Sequence, residues 1–273
     1  MIFLAKKFPL YVLALFLLVF TGYPFLYMVA TSLKTQEEFF KAPFSIITSI
    51  SFDNYFSVLE MGLTQYFVNS ILVSVISVVT VVFISALASY PLSRMRFRLN
   101  RTLFLIFIAG MMLPIHSTLI PTFMLTQKME IYDTMLALIG PYIAFSIPIS
   151  IFILTQFMQE IPQALEDAAK IDGCTHFGVF WRVILPMMGP ALSTVFIYNL
   201  IHLWTEFIFA LVLITSPEKM TLPLGLQNFY GEFSVNVPGL MAALTLASLP
   251  VLLVYFISQE KVVKGLAGGA VKE

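Results

Sequence analysis

The sequence predicts an all-α membrane protein with six transmembrane helices. Of its 273 residues, 59% are hydrophobic and only 11% are charged, whereas a soluble domain carries roughly 25% charged residues. Long stretches without any charge recur along the chain, and each exceeds the roughly 20 residues that a helix needs to cross about 30 Å of hydrocarbon. Basic residues are concentrated in every second connection between these stretches. Together these observations place the chain in a membrane.

The charge-free stretches define the predicted spans. In order, they are Phe8–Leu33, Phe67–Ser93, Thr102–Gln127, Thr134–Gln159, Val183–Thr205 (continuing past Glu206 to Pro217) and Phe233–Gln259. We predict helices because hydrocarbon offers an exposed backbone no hydrogen-bond partner, and because barrel strands would be about half as long and alternate in polarity. The first stretch is too long for a cleaved signal peptide and lacks a cleavage site, so we expect it to remain as a helix.

Basic residues predict the orientation of the chain. With the N-terminus in the cytoplasm, most of the 15 Lys and Arg fall on the cytoplasmic side, including the block Arg94–Arg101. The exceptions are Lys34, Lys41, Lys128 and Lys219. Because cytoplasmic segments are enriched in Lys and Arg, we expect both termini and the segment 160–186 to be cytoplasmic.

Composition also limits the function. The formal net charge is zero, which gives no basic field for nucleic acid, and the single cysteine, Cys174, excludes an internal disulfide. The three histidines do not cluster with carboxylates at metal-ligand spacing, and no Gly-x-x-x-x-Gly-Lys sequence offers a phosphate loop. Prolines within the spans have two open interpretations: their ordinary enrichment in membrane helices, or kinks around a central pathway.

A charged segment between the fourth and fifth stretches is the most unusual part of the chain. Pro162 is suited to the first turn of a helix, Gln163–Ile171 contains strong helix formers, and Gly173 can adopt the left-handed backbone that stops a helix. A second short helix is predicted at His176–Ile184. From spacing alone, the segment is either a helix–turn–helix packed on its own spans or a docking site for a protein in the cytoplasm.

The fifth stretch contains a second candidate site. Glu206 is an acidic residue inside a predicted span, where a carboxylate suggests function, and Asn199 and His202 share its helix face by spacing. These three residues could line a water-filled pathway. Alternatively, they hydrogen-bond to neighbouring helices, or Glu206 lies near the outer surface.

The charged segment resembles the EAA loop of ABC-importer permeases. The matching residues are Asp167-Ala168-Ala169, Gly173, the run Phe180–Pro186 and Pro190. Further matches to the sugar-transporting, maltose-type branch are Asn69-Ser70, Ala88–Met95, Asp133-Thr134, Trp204–Phe207 and Gly265–Lys272. The chain departs from the family pattern in Asp167, where Glu is usual, and in Thr205, where Asn is usual.

The resemblance implies a type I ABC importer permease fold and a mechanical role for the charged segment. In such permeases the loop inserts into a cleft of a cytoplasmic ATPase, whose closure on ATP switches the spans between inward-facing and outward-facing states. The coupling residues implied here are Glu166, Asp167, Ala168, Ala169, Asp172 and Gly173. Whether Glu166 or Asp167 makes the salt bridge to the ATPase stays open. The C-terminal tail is expected to reach towards the ATPase.

The implied protein is a multi-pass subunit of a bacterial inner membrane that carries a sugar, an oligosaccharide or a related polyol or sugar phosphate. Its expected partners are an ABC ATPase dimer, a second permease subunit in a heterodimer, a periplasmic or lipid-anchored solute-binding protein and membrane lipid. It is not expected to be an enzyme or to bind a cofactor or metal, because ATP and Mg²⁺ belong to the ATPase. An ion-coupled secondary transporter using Glu206, or a membrane enzyme, are the alternatives.

The predicted organisation has three parts. Residues 1–66 contain the first span, at about 8–33, and a periplasmic loop. Residues 67–259 form the transmembrane core, with five spans and the cytoplasmic coupling loop at about 160–186. Residues 260–273 form the cytoplasmic tail.

Overall fold

A computed structural model describes residues 2–45, 50–232 and 236–268, and within these ranges every regular element is helical. The helices are α1 (Ile2–Ser32), α2 (Gln36–Lys41), α3 (Asp53–Val58), α4 (Thr64–Arg94), α5 (Asn100–Gly110), α6 (Ile115–Lys128), α7 (Met135–Glu160), α8 (Gln163–Ile171), α9 (His176–Val179), α10 (Leu185–Met187), α11 (Gly189–Trp204), α12 (Ile208–Leu213), α13 (Leu222–Glu232) and α14 (Val237–Gly268). The prediction of an all-α protein is confirmed. Residues 269–273 of the predicted tail lie outside the described residues.

Four helical segments are long and apolar enough to cross a membrane as they stand: Pro9–Ser32, Asp53–Arg94, Met135–Glu160 and Val237–Ser258. Two further segments are bent pairs. The chain turns by 95° between Asn100–Gly110 and Ile115–Lys128, and by 72° between His176–Met187 and Gly189–Trp204. The described residues therefore contain four such spans, or six when each bent pair counts as one. The third and fifth predicted spans are not continuous helices.

A glycine followed within four residues by a proline marks both bends. After Gly110 ends α5, Pro114 has an extended backbone with φ −70° and ψ 126° and precedes α6. Proline disfavours helical geometry in the residue before it and cannot donate a backbone hydrogen bond. The second bend falls at Met188, before Gly189 and Pro190. By contrast, α7 continues through two internal prolines, so proline alone does not break a span.

The chain divides into two compact units, of which the first comprises Met1–Gln65 and Gly225–Leu249. In this unit the segment after α1 is folded around a buried lysine. Lys34 is 1% exposed, and its ammonium group donates to the carbonyl oxygens of Pro43 at 3.0 Å and Ser45 at 2.7 Å. Asn54 donates to the carbonyls of Ser32 and Lys34, both at 2.8 Å. These bonds satisfy polar groups that would otherwise be costly to bury.

The second unit comprises Tyr66–Leu224 and Pro250–Glu273. One face of α4 is lined by buried small side chains, which allow neighbouring backbones to approach closely. They are Ser70, Ser74, Ser77, Ser85 and Ser89. One apolar cluster joins the C-terminal halves of α4 and α7 to α8, α9 and the start of α11. A second cluster joins the opposite ends of these long helices to α12 and the start of α13.

Asp133 organises the polar end of the second unit, between α6 and α7. Its carboxylate accepts backbone hydrogen bonds from Thr215 at 2.8 Å and Ser216 at 2.9 Å, and Lys219 approaches it at 3.1 Å. Partial burial raises the pKa of Asp133, but the hydrogen bonds from Ser216, Thr215 and Lys219 outweigh burial and hold the pKa well below its usual range. The charged carboxylate therefore fixes the segment after α12 against the start of α7.

Candidate functional site

The charged segment folds as the sequence predicts at its first helix. Pro162 has an extended backbone with φ −58° and ψ 128° and directly precedes α8, which covers Gln163–Ile171. Only Ile161 and Pro162 separate α8 from the end of α7. The predicted bounds of this helix are confirmed.

Gly173 ends α8 by a left-handed turn. Its φ is +83°, and its N–H donates to the carbonyl of Lys170 at 3.0 Å. The next N–H, of Cys174, reaches back to the carbonyl of Ala169 at 2.9 Å. A Cβ atom at position 173 would meet no atom within 4 Å, so glycine is required here by backbone geometry rather than by space.

The second predicted helix, His176–Ile184, is only partly correct. The Thr175 hydroxyl accepts the N–H of Gly178 and caps α9, but α9 ends at Val179 and a π-helical turn follows over Phe180–Ile184. Pro186 offers a physical reason, because it has no N–H to donate to the carbonyl four residues earlier. The wider turn buries Phe180 and Ile184 in the same cluster as Ala169.

Helix α8 has two faces that differ in exposure. Glu166 is 2% exposed and Ala169 is 8% exposed, and both point into the chain's own interior. Asp167 keeps 59% of its side chain exposed, 3.9 Å from Lys170, and Ile171 is 86% exposed. The exposed face therefore combines charge with apolar surface, which suits a protein partner.

A buried ion pair fixes the inner face of α8. Glu166 Oε1 lies 2.9 Å from Nε of Arg94, and the two side chains are 3% and 9% exposed. The guanidinium also donates through Nη2 to the carbonyl oxygens of Met158 and Ile161. These carbonyls belong to the end of α7, where helix geometry leaves acceptors without intrahelical partners. One arginine thus joins the ends of α4 and α7 to the first turn of α8.

The six predicted coupling residues fall into two groups. Asp167, Ala168, Asp172 and Gly173 are exposed, whereas Glu166 and Ala169 are buried within the second unit. The sequence did not point to Arg94 as a partner of α8; it entered only in the basic block that set the orientation and in the family match at Ala88–Met95. The one signal was its position at the end of a span, because an arginine there can reach carbonyls at helix ends.

The three predicted pathway residues border one cavity of about 320 Å³ in the second unit, together with Tyr142 and Tyr198. Asn199 and His202 lie on α11, which ends at Trp204. The prediction that all three residues share one helix face is therefore wrong for Glu206, although Glu206 borders the same cavity. His202 is exposed and its ring lies 4.4 Å from that of Tyr198. Asn199 is buried and donates to Ser150 Oγ at 2.9 Å and to the carbonyl of Val195 at 2.8 Å.

Glu206 lies at the break between α11 and α12 and caps the second of these helices. Its carboxylate accepts the N–H of Phe209 at 2.8 Å and the hydroxyl of Tyr142 at 2.6 Å. A carboxylate at a helix N-terminus is stabilised both by the exposed N–H groups and by the helix dipole. Tyr142 was not predictable as the partner, because it lies on α7, 64 residues away in the sequence.

Among the residues that the structure describes, no three His, Cys, Asp or Glu side chains are grouped so that they could hold a metal ion.

Comparison with known proteins matches residues 81–268 to the family described as "Binding-protein-dependent transport system inner membrane component". The chain is 49% identical to ORF2 of Caldicellulosiruptor sp. (strain Rt8B.4), named as an ABC transporter permease protein, over 91% of each chain. It is 33% identical to SmoH of Agrobacterium fabrum (strain C58 / ATCC 33970), a sulfoquinovosyl glycerol transport system permease protein, over 97% of this chain and 94% of that protein.

A solved structure shares the fold. It is the crystal structure of a bacterial ABC transporter involved in the import of the acidic polysaccharide alginate. One of its chains superposes with a TM-score of 0.82 at 24% identity, covering 94% of this chain and 96% of that one.

Proposed function

Because the chain belongs to the family of binding-protein-dependent transport system inner membrane components, and so is a permease subunit of an ABC importer, we propose that it translocates a sugar or oligosaccharide across a bacterial inner membrane. Relatives named for a sulfoquinovosyl glycerol and for alginate support a carbohydrate. The observation that carries the mechanism is the two-faced helix α8, which is anchored on one side and exposed on the other.

The exposed face of α8 is the proposed contact with an ATPase. Asp167 supplies a carboxylate for a basic group, Ala168 allows close approach, and Ile171 offers apolar surface. Gly173 and Asp172 shape the turn that follows. In this arrangement Asp167, rather than Glu166, makes the intermolecular salt bridge, because the Glu166 carboxylate is buried against Arg94.

ATP-driven closure of the ATPase dimer then moves α8, and α8 moves the spans. ATP and Mg²⁺ bind to the ATPase, so the chain is a transport subunit without its own hydrolytic site. A second permease, in a heterodimer, and an external solute-binding protein complete the proposed importer. Six spans, with each bent pair counted as one, and cytoplasmic termini fit this assembly.

The cavity beside α11 is the proposed part of the sugar pathway in this subunit. Tyr198 and His202 offer ring surface at its rim, and aromatic rings pack well against the apolar faces of sugars. Asn199 and Glu206 line the same cavity, but their polar groups are bonded within the protein. We therefore assign direct sugar contact to Tyr198 and His202, and shaping of the cavity to Asn199 and Glu206.

The ion-coupled alternative has no support in the comparisons. Its proposed ion site, Glu206, accepts hydrogen bonds from Tyr142 and from the backbone of α12. An ion bound to this carboxylate would compete with the hydrogen bonds by which Glu206 caps α12.

The first test is affinity purification of the tagged chain from native membranes, followed by uptake in proteoliposomes. We expect an ATPase and a second permease to copurify, and uptake of a sugar delivered by the binding protein to need ATP and to be inhibited by vanadate. Purification of the chain alone after cross-linking, or uptake driven by an ion gradient without ATP, would refute the proposal.

Charge reversal tests the assigned contact. Asp167→Arg is expected to reduce the amount of ATPase that copurifies by about tenfold, since opposed charges across an interface become like charges. Glu160→Arg is the matched control, because Glu160 is also exposed and lies at the end of α7. Equal losses in the two variants would mean that Asp167 has no specific role.

A further inference from the structure

We propose that Arg94 and Glu166 form a coupling junction, by which a displacement of α8 is transmitted to α4 and α7 together. The proposal rests on the function proposed above and assigns a role to two residues that do not touch the ATPase or the sugar. Both are positioning residues. The evidence is the geometry of one guanidinium group that contacts three helices.

The first step of the argument is the cost of placing these charges. Glu166 and Arg94 keep only 3% and 9% of their side chains exposed, and buried charges are costly unless they are paired and hydrogen-bonded. A well-packed apolar pair would hold α8 against α4 at no such cost. The charged pair therefore has a role other than holding α8 against α4, which apolar packing could do.

The second step is the number of groups that the guanidinium holds. Its Nε faces Glu166 on α8, while Nη2 donates to the carbonyl oxygens of Met158 and Ile161 at the end of α7. Arg94 itself is the last residue of α4. Because the guanidinium is planar and rigid, its hydrogen bonds to the end of α7 fix its orientation. The ion pair then holds Glu166 of α8 close to the same group, so one side chain connects the three helix ends.

The third step is the covalent path. Among the long helices, α8 is connected closely only to α7, through Ile161 and Pro162, whereas α4 is distant in sequence. The C-terminal half of α4 nevertheless packs in the same apolar cluster as Ala169 of α8 and Phe180. Apolar packing is non-directional, so sliding of α8 along α4 meets little resistance from it. The ion pair resists separation of the Glu166 carboxylate from the Arg94 guanidinium, and so it couples movement of α8 to movement of α4.

The test uses the purified complete importer in proteoliposomes, with maltodextrin and related sugars as probes and with sugar uptake and ATP hydrolysis measured in the same sample. Glu166→Gln and Arg94→Lys keep similar shapes but weaken the pair. We expect the ATPase to copurify at normal levels and ATP to be hydrolysed, while the sugar transported per ATP falls by about tenfold, the size of effect produced by residues along a coupling network. Glu160→Gln and Arg98→Gln, which change exposed charges nearby, should leave this ratio unchanged.

A structural role alone predicts a different result. If the pair only stabilises the fold, the variants will reduce the yield of complex, and the complex that remains will transport the normal amount of sugar per ATP. That outcome would overturn the proposal.

The double variant Arg94→Met/Glu166→Leu covers the case in which single variants do not assemble. Replacing both charges by apolar side chains leaves no unpaired buried charge, so we expect assembly, with the transport ratio still reduced. A normal ratio in the double variant would overturn the junction while the proposed function stands. Loss of ATP-dependent uptake in the unmodified importer would instead refute the proposed function.

Discussion

Glu166 and Glu206 are both carboxylates in an apolar chain, and the protein holds them in different ways. Glu166 is paired with a full opposite charge, the Arg94 guanidinium. Glu206 accepts hydrogen bonds from neutral donors, the Tyr142 hydroxyl and the backbone N–H groups that open α12. The first arrangement ties three helix ends together, whereas the second caps one helix beside a cavity. The role of each carboxylate therefore depends on the group that it contacts, and not on how deeply it is buried.

The largest effect is expected at the turn that ends α8. Gly173→Val places a β-branched residue at φ +83°, which is strongly disfavoured. We expect ATP-driven uptake to be abolished while the protein remains in the membrane, because α8 no longer presents its exposed face correctly. Uptake assays and membrane immunoblots measure the two quantities.

Gly173→Asn is the matched control for that change, since asparagine tolerates left-handed backbone better than other side chains. It should retain a substantial part of the uptake. Normal uptake by Gly173→Val would argue against the coupling role of this segment.

The next effect compares the two carboxylates directly. Glu166→Gln leaves a buried arginine without its counter-charge, and removing one partner of a buried pair costs about 3–5 kcal/mol. Glu206→Gln keeps an oxygen that can accept from the helix N-terminus, so we expect a loss of about 1 kcal/mol. Thermal unfolding of the purified importer, followed by tryptophan fluorescence, should show the larger shift for Glu166→Gln. Equal shifts would remove the distinction between charge pairing and neutral capping.

A smaller effect is expected at Asp133. Its pKa is lowered in the folded protein from an ordinary 3.8, so the folded state binds fewer protons than the unfolded state near that pH. Its contribution to stability is complete above the unfolded pKa and is lost as the pH falls towards the folded one. Unfolding temperatures measured from about pH 6 down to about pH 3 should fall for the native protein and fall less for Asp133→Asn. Identical pH profiles would mean that Asp133 does not contribute in this way.

The smallest effect is expected from the exposed pair on α8. Lys170 approaches Asp167 only to 3.9 Å, and both side chains are well exposed. Because surface ion pairs contribute about 0–1 kcal/mol, Lys170→Met should leave the unfolding temperature almost unchanged. A large destabilisation would show that the outer face of α8 is structural and not available to a partner.

Local chemistry explains what the sequence could predict. Pro162, the helix formers after it and Gly173 specify α8 through nearest-neighbour geometry, and the structure has the predicted bounds. Helical spacing places Asn199 and His202 together on α11 beside one cavity, whereas Glu206 reaches that cavity from the break after Trp204. The all-α class follows from the lack of backbone partners in lipid.

Contacts between distant segments explain what the sequence could not predict. Nothing near Glu166 in the sequence indicates that Arg94 is its partner, and nothing near Glu206 indicates Tyr142. The bends at Pro114 and before Pro190 could not be predicted either, because Pro141 and Pro148 also occur in an apolar stretch but lie inside the continuous helix α7. Packing around each proline decides whether the helix continues.

Site-specific cross-linking tests the central claim that Asp167 faces the ATPase while Glu166 faces the protein interior. Cys174 is the single cysteine, so a Cys174→Ala background allows one new cysteine at a time. The account predicts that Asp167→Cys in the assembled importer forms a cross-link to the ATPase through a short bifunctional reagent and that Glu166→Cys does not. A cross-link from Glu166→Cys, with none from Asp167→Cys, would contradict it.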